Sequence, residues 1–463
     1  MFRNILEWID SRTGLVSSTK HFLDEDIPAS SGWHQVFGSV AMFSFLVQAL
    51  TGTLLAMNFA PVAGEAWYSL RYIIVEITGG RMIRQLHHWG ASLMIVVVVL
   101  HMIQVFLWGA YKKPREATWI AGVFLLLLTL GYGLTGYLLP WDNRAYWGTV
   151  VATQIAGSAP GLGQYAQQLL GAPGGVVGAV TFARFYAIHV LILPPATLAL
   201  ILLHVILVRK HGITPAPGDE RLPKKKFYPG QVFKDTAAIF ISFMVLYILA
   251  IAVKVPLERL ADATDTSYVP RPDWYFLFLF QMLKVFEGPM EVLGTVVLPT
   301  LAVIGLLLVP FIDRATITRV RQRTFAIGVV LFAAVGWSAL TYAAASSTPH
   351  SPSSEFDATL VEPWQMEAPK QLAAKTSGAP SFAVDAAKLY GKMGCAACHA
   401  INGEGGKSGP ELNGLLFRRD HAWVVGHFND PQKYSPGTPM PPYRLPPAQM
   451  DAMVRWLLVL PPS

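Results

Sequence analysis

The sequence predicts an all-α polytopic membrane protein: seven transmembrane helices followed by a small α-helical soluble domain. Three observations predict it. Of 463 residues, 53% are hydrophobic and 14% charged, against roughly 25% charged in an ordinary soluble domain. Seven runs of about 20 residues lack Asp, Glu, Lys and Arg, each long enough to cross a bilayer. After residue 382 the composition returns to that of a soluble domain. Disorder is excluded, because the apolar surface is ample. Two cysteines exclude a disulfide framework. The net charge of +7 does not indicate nucleic acid, because the basic residues sit in short clusters between apolar runs, the positive-inside pattern.

Residues 1–36 are mixed and polar, without the apolar core and cleavage site of a signal peptide. They are expected to remain as a cytoplasmic amphipathic lead-in. The spans are expected at 37–59, 85–111, 118–141, 185–208, 236–253, 292–312 and 324–346. Basic clusters follow the second span (Lys112, Lys113, Arg115), the fourth (Arg209, Lys210, Arg221, Lys224, Lys225, Lys226) and the sixth (Arg314, Arg319, Arg321, Arg323). They place those loops and the N-terminus inside, and everything after the seventh span outside. Residues 142–184 read as short helices on the outer surface. The 11 apolar residues 276–286 are too few to span and read as an interfacial helix. Residues 347–382, rich in Ser, Pro and Ala, read as a tether without its own core. Residues 383–463 are expected to be a small domain built around a cofactor, ending in a helix over 446–460.

Four histidines lie inside two spans. His87 and His101 stand 14 residues apart, His189 and His204 stand 15 apart. Each pair therefore shares one helix face, with its members about 21–23 Å apart along the axis. Both helices run from outside to inside, so His87 and His189 share the outer level and His101 and His204 the inner one. Two levels with one imidazole from each helix suit two bis-histidine haems stacked across a membrane. A buried histidine bonded to backbone is commonplace singly; matched depth and spacing in four argues for ligands. His88 reads as structural. Gly38 and Gly52, and Gly122 and Gly136, repeat the spacing of 14. Glycine lets a flat macrocycle approach the backbone, although glycine is common in membrane helices anyway. Arg81, Arg84 and Arg184, at the outer ends, suit haem propionates or lipid headgroups.

Cys395-Ala-Ala-Cys398-His399 is the CxxCH attachment signature of a covalent c-type haem, with His399 as proximal ligand. Met440 is the expected sixth ligand. Met450 falls in the apparent last helix, and Gly409-Pro410 is expected to pack against His399.

With these motifs in place, the chain resembles the cytochrome b of cytochrome bc complexes. Residues 20–212 resemble the four-helix cytochrome b of the chloroplast-type complex. Phe45-Leu-Val-Gln-Ala-Leu-Thr-Gly52, Tyr111-Lys-Lys-Pro-Arg-Glu116, Thr135-Gly-Tyr-Leu-Leu-Pro-Trp-Asp142 and Arg184-Phe-Tyr carry the match. Residues 227–346 resemble its separate three-helix partner subunit, and 383–463 a class I cytochrome c. The implied organisation is a lead-in (1–36), a four-helix di-haem domain (37–212), a three-helix quinol-site domain (213–346), a linker (347–382) and a cytochrome c domain (383–463).

The resemblance implies a quinol:cytochrome c oxidoreductase core coupled to proton translocation. Pro272-Asp273-Trp274-Tyr275 matches the family's outer quinol-oxidation motif, with Asp in place of Glu. Asp273 would take a quinol proton and Tyr275 would bond a quinone carbonyl. Arg209 and Asp235 fall where quinone is reduced. Two haem b, one haem c and quinol or quinone are the implied cofactors and substrate. One electron would pass through the b haems to an inner quinone. The other would go to a separate Rieske iron–sulfur protein and on to the c haem, since no cysteine remains for a cluster. Other bc-complex subunits, a soluble or membrane-bound cytochrome acceptor, the lipid bilayer and a second copy are the implied partners, with no nucleic acid. The implied location is the bacterial cytoplasmic membrane, with the cytochrome c domain outside. The family also holds an extra haem through a cysteine near the first span; Val36 stands there, so no thioether can form. A di-haem membrane anchor of a dehydrogenase, and a transporter with a regulatory haem domain, are the alternatives.

Overall fold

The structure, a computed structural model, describes residues 2–258, 260–261, 263, 268–348, 363–375 and 378–461. Helices α1 (Phe2–Thr13) and α2 (Leu15–Leu23) open it, with Ile5, Trp8, Leu15 and Phe22 exposed. Then come α3 (Phe37–Ala56), the short α4 (Ala66–Val75), α5 (Gly80–Leu107) and α6 (Glu116–Tyr137). Helices α7 (Asn143–Gly157) and α8 (Gly163–Leu170) are short. α9 (Ala179–Ala187) passes through a π-helical turn at Ile188–Ile192 into α10 (Leu193–His211). α11 (Gly230–Ala252), α12 (Leu277–Val285), α13 (Leu298–Ile312) and α14 (Thr324–Ser347) complete the apolar part. Among the described residues, seven helical stretches are long and apolar enough to cross a membrane. Among the described residues, the only strands are two antiparallel pairings of two residues each, Asp26–Ile27 with Lys225–Lys226 and Ala400–Ile401 with Glu404–Gly405.

All seven expected spans are helical, but their ends move. α5 begins at Gly80, α9 at Ala179 and α11 at Gly230, each several residues before the uncharged run. Helical hydrogen bonding continues past that run where Arg84, Arg184 and Asp235 find polar partners. α6 stops at Tyr137, short of Pro140, which disfavours helical geometry in the residue before it. Between α4 and α5 the chain turns at Gly79 with φ 80°. A Cβ on Gly80 would fall 1.9 Å from the Ile73 carbonyl oxygen, so that crossing requires glycine.

Side-chain donors tie the first four membrane helices to the last three. The Trp89 indole donates to the Val253 carbonyl (3.0 Å) and the Trp119 indole to the Leu306 carbonyl (2.7 Å). The Trp274 indole donates to Ser92 Oγ (3.2 Å). At the other end of α5, Arg323 is only 5% exposed in its side chain. It donates to the Phe106 and Leu107 carbonyls and pairs with Asp313 at 2.7 Å. Asp313 also accepts from Tyr111 Oη and pairs with Lys112.

The C-terminal part holds α15 (Pro369–Ala374), α16 (Ser381–Lys392), α17 (His421–Asn429), α18 (Pro431–Tyr434) and α19 (Pro447–Val459). Ala383, Ala386, Ala387 and Tyr390 line one face of α16 against Met453, Val454, Trp456 and Leu457 of α19. The expected tether over 347–382 is shorter than the sequence suggests. Leu372 is fully buried in this same core and Trp364 packs on it, because α15 supplies the apolar face that α16 leaves uncovered. The stretch 349–362 lies outside the described residues.

Asp313→Ala should strand the Arg323 guanidinium. Since the Phe106 and Leu107 carbonyls remain, the expected cost is about 2–3 kcal/mol, below that of a wholly unpaired buried charge. A lowered midpoint of thermal unfolding in detergent, with a much smaller effect for Lys112→Ala, checks it.

Candidate functional site

The four span histidines meet in two pairs. His87 on α5 faces His189 in the π turn, with ring centroids 6.4 Å apart and planes at 72°. His101 on α5 faces His204 on α10, again at 6.4 Å, with planes at 73°. Two metal–nitrogen bonds of ~2 Å plus two imidazole radii of ~1.1 Å come to ~6.2 Å. Each separation is wide enough for one iron to be held by both imidazoles.

Each ring also has its own glycine. A Cβ on Gly38 would lie 3.4 Å from His101, and one on Gly122 would lie 3.4 Å from His204. At the other level the approach is tighter, 3.0 Å from Gly52 to His87 and 2.6 Å from Gly136 to His189. The glycines were expected to admit the macrocycle; here they admit the imidazoles themselves. The neighbouring threonines fix the outward-facing nitrogen. Thr51 Oγ1 donates to the Val47 carbonyl (2.7 Å) and stands 2.9 Å from His87 Nδ1. Thr135 Oγ1 donates to the Gly131 carbonyl (2.7 Å) and stands 3.0 Å from His189 Nδ1. Each hydroxyl proton is already used, so the threonine oxygen accepts from Nδ1–H. Nε2 is left as the lone-pair nitrogen.

The π turn that carries His189 has a local cause. Pro194 and Pro195 lack the N–H groups that would bond the Val190 and Leu191 carbonyls, so the α-helical ladder slips by one residue there.

A cavity of about 430 Å³ opens at the His101/His204 level and includes Gly38, Gly122, Arg209 and Asp235 in its wall. Arg209 pairs with Glu25 and lies over the Phe22 ring at 4.6 Å. Asp235 accepts from Gln231 Nε2 at 2.9 Å. The structure thus brings together the expected inner-site pair and adds Glu25.

At the opposite end of the bundle, Asp273 Oδ1 pairs with Arg144 at 2.5 Å and Oδ2 accepts from Tyr275 Oη at 3.0 Å. Arg144 Nε also donates to Tyr137 Oη (3.2 Å), which donates to the Arg271 carbonyl (2.9 Å). The Tyr275 ring fills the space left by Gly133, where a Cβ would lie 3.1 Å from it. Burial, then the Asp273 carboxylate, pushes the Tyr275 phenol well up, so it stays a hydrogen-bond donor at physiological pH. Sequence reading missed Arg144, whose one local signal is a lone cation just past an apolar span.

The expected arginines divide. Arg84 donates to the Val255 (2.5 Å) and Pro256 (3.0 Å) carbonyls. Arg184 donates to the carbonyls of Gln168 and Leu169. Arg81 is half-buried in the first turn of α5. The His88 ring stands edge-on to Trp89.

In the C-terminal part, Cys395 opens one 3₁₀ turn (Cys395–Ala397) and Cys398 closes it. His399 Nδ1 lies 2.8 Å from the Pro410 carbonyl oxygen, and a Cβ on Gly409 would fall 2.6 Å from its ring. The Gly409-Pro410 packing expected from sequence is therefore present, and it leaves His399 Nε2 free. Met440 packs partly buried against the core, whereas Met450 is buried within it on α19.

Residues 92–260 match the cytochrome b(N-terminal)/b6/petB family, residues 260–356 the cytochrome b(C-terminal)/b6/petD family, and residues 383–461 the cytochrome c family. The menaquinol:cytochrome c reductase cytochrome b subunit of Bacillus subtilis is 41% identical over 221 residues, 46% of this chain and 99% of that protein. The cytochrome bc complex cytochrome b subunit of Chlorobaculum thiosulfatiphilum is 36% identical over 337 residues, 70% of this chain and 78% of that protein. A solved structure titled hyperthermophilic respiratory Complex III superposes with a TM-score of 0.67 at 30% identity, covering 75% of this chain and 92% of that one. With both halves of a cytochrome b continuous in one polypeptide and a CxxCH domain behind them, the chain belongs to the cytochrome b family of bc-complex subunits and carries a C-terminal cytochrome c domain.

Proposed function

We propose that the chain is the membrane core of a quinol:cytochrome c oxidoreductase. The observation that carries this reading is the pair of matched histidine gaps, with the Asp273–Tyr275 pair at one end of the same bundle. Haem b at each gap and haem c at the CxxCH turn would supply one-electron carriers. His87 with His189, and His101 with His204, would hold the b irons through Nε2. Cys395 and Cys398 would hold haem c covalently, with His399 and Met440 on its iron. Arg81 is the best-placed cation for a propionate, since Arg84 and Arg184 are engaged by backbone carbonyls.

At the outer site Asp273 takes a proton from quinol, releasing Arg144 as it does so, and Tyr275 donates to the quinone oxygen. At the inner site Arg209 and Asp235 orient quinone and return protons to it. By the positive-inside reading, the N-terminus is cytoplasmic and the cytochrome c domain lies outside. A separate Rieske iron–sulfur protein receives the first electron, and the assembly is a homodimer with further subunits. The names of the relatives, one a menaquinol:cytochrome c reductase subunit, favour menaquinol as the substrate. Asp273 disfavours the alternative of a di-haem anchor, which has no need of a proton acceptor at this end.

Acid–acetone extraction followed by pyridine haemochrome assay should give two extractable b haems for each covalent c haem. A third extractable haem would add a group at the inner cavity, and fewer than two would overturn the reading. Gly136→Ala should lose the outer b haem alone, because its Cβ would meet the His189 ring, while Gly122→Ala should keep both. Asp273→Asn should lower quinol-driven cytochrome c reduction by about 100-fold or more with both b haems retained. Unchanged turnover would remove Asp273 from the site.

A further inference from the structure

Glu258 is a buried carboxyl that the reading above does not use. It is 4% exposed and lies just past α11. Its backbone is held on both sides: the Trp67 indole donates to its carbonyl (2.9 Å), and its N–H donates to Asp142 Oδ2 (3.3 Å). Its carboxylate accepts from Tyr268 Oη at 2.7 Å. Asp142 is itself 5% exposed and caps α7, accepting from Ala145 N–H at 2.9 Å. Among the described residues, no Lys or Arg forms an ion pair with either carboxyl.

The two acids lie next to the proposed quinol site through a short corner of chain. Arg144 follows Asp142 by two residues and reaches Asp273. Tyr137 bonds Arg144 and lies within electrostatic reach of Tyr268. Among the described residues, the charged and titratable groups facing Glu258 are Asp142 at the N-cap of α7, Arg144 from α7 and Tyr268, with Arg84 from α5 acting on Asp142 and Tyr137 from α6 acting on Tyr268. Two such buried carboxylates cannot both ionise cheaply. Asp142 accepts two backbone N–H groups, whereas the Glu258 carboxylate has one hydroxyl. When the pair takes up one proton, that proton therefore rests on Glu258 rather than on Asp142.

We propose that Glu258 is the carboxylate that receives the quinol proton from Asp273 and passes it towards the outer aqueous phase. This rests on the reading of Asp273 as the outer proton acceptor. In the transfer the O–H bond on protonated Asp273 breaks and one forms on a Glu258 carboxylate oxygen. Asp273 returns to its pair with Arg144, net charge is unchanged and no electron moves. Burial, then the charge on Asp142, pushes Glu258 up to about 7, against the Tyr268 hydroxyl and Arg144. A group so poised both takes and releases a proton near neutrality.

The sign follows. Below about pH 7 Glu258 is already protonated and cannot accept, so quinol oxidation should fall as pH falls through that value. The test is the pH profile of quinol-driven b-haem reduction in the intact complex. Glu258→Gln should slow it by about tenfold or more at pH 8 and abolish the limb near neutrality. Tyr268→Phe removes a bond that favours the charged form, so the limb should move to higher pH by roughly 0.5–1 unit. Infrared titration of the unreacted complex should show a buried carboxyl C=O band that Glu258→Gln removes and Asp273→Asn keeps. A profile and band unchanged in both Glu258→Gln and Tyr268→Phe would overturn the proposal. If Asp273→Asn also left turnover intact, the failure would lie with the outer-site reading instead. Should Glu258→Gln lose its b haems, Tyr268→Phe alone decides.

Discussion

The membrane bundle is organised around two gaps of 6.4 Å between imidazole rings. A ring separation of that size lies within the range of ordinary edge-to-face contacts; what singles these pairs out is that each of the four rings stands opposite a glycine. Of these four glycines, two on α3 and two on α6, Gly52 and Gly136 are the ones where a Cβ would press on a ring, at 3.0 and 2.6 Å, while Gly38 and Gly122 would leave ordinary contact at 3.4 Å. The level at His87 and His189 is the more tightly specified. Its glycines approach more closely, and each of its histidines meets a threonine hydroxyl already committed to its own helix. Even the helix that delivers His189 departs from α geometry at that turn, where Pro194 and Pro195 remove two backbone donors.

A second constraint is backbone satisfaction where helices end in an apolar medium. The carbonyls of Val253, Val255, Pro256 and Glu258, just past α11, accept from Trp89, Arg84 and Trp67. These donors come from the first half of the chain and the acceptors from the second, so the bonds that satisfy the helix end also dock the halves. That double use explains why Arg84 is not free for an anionic cofactor group, despite its place in the helix.

Much of this was legible in the sequence because it is local or periodic. Seven spans, the histidine and glycine spacings and the CxxCH turn need only helix geometry. The span ends were misplaced wherever a charged residue extends a helix, since an uncharged-run rule stops at Arg84 and Asp235 while the backbone does not. Arg144 and Glu258 were not legible. Arg144 acquires its role from Asp273, 129 residues away, and Glu258 from Asp142, 116 residues away. Neither sits in a periodic pattern. The same holds for Leu372, whose Ser/Pro/Ala-rich surroundings read as a tether until α16 is in place to bury it.

The placement of the proposed proton-handling groups follows from one helix. Gly133 and Gly136 lie three residues apart on α6, ~4.5 Å along the axis and ~60° apart around it. The first bare position receives the Tyr275 ring and the second the His189 ring. Helix α6 thus presents two missing side chains within one turn and seats on them one residue from the motif at Asp273 and one member of a histidine pair. A side chain at either position would not simply weaken packing; it would displace one of the two groups relative to the other. The proposed proton acceptor Asp273 and the proposed iron at His189 are therefore held in register by the backbone of α6 rather than by any bond between them. Tyr137, one residue beyond Gly136, extends the same surface to Arg144. That hydroxyl is where the proposed proton route leaves the axis of the histidines and turns towards Asp142 and Glu258.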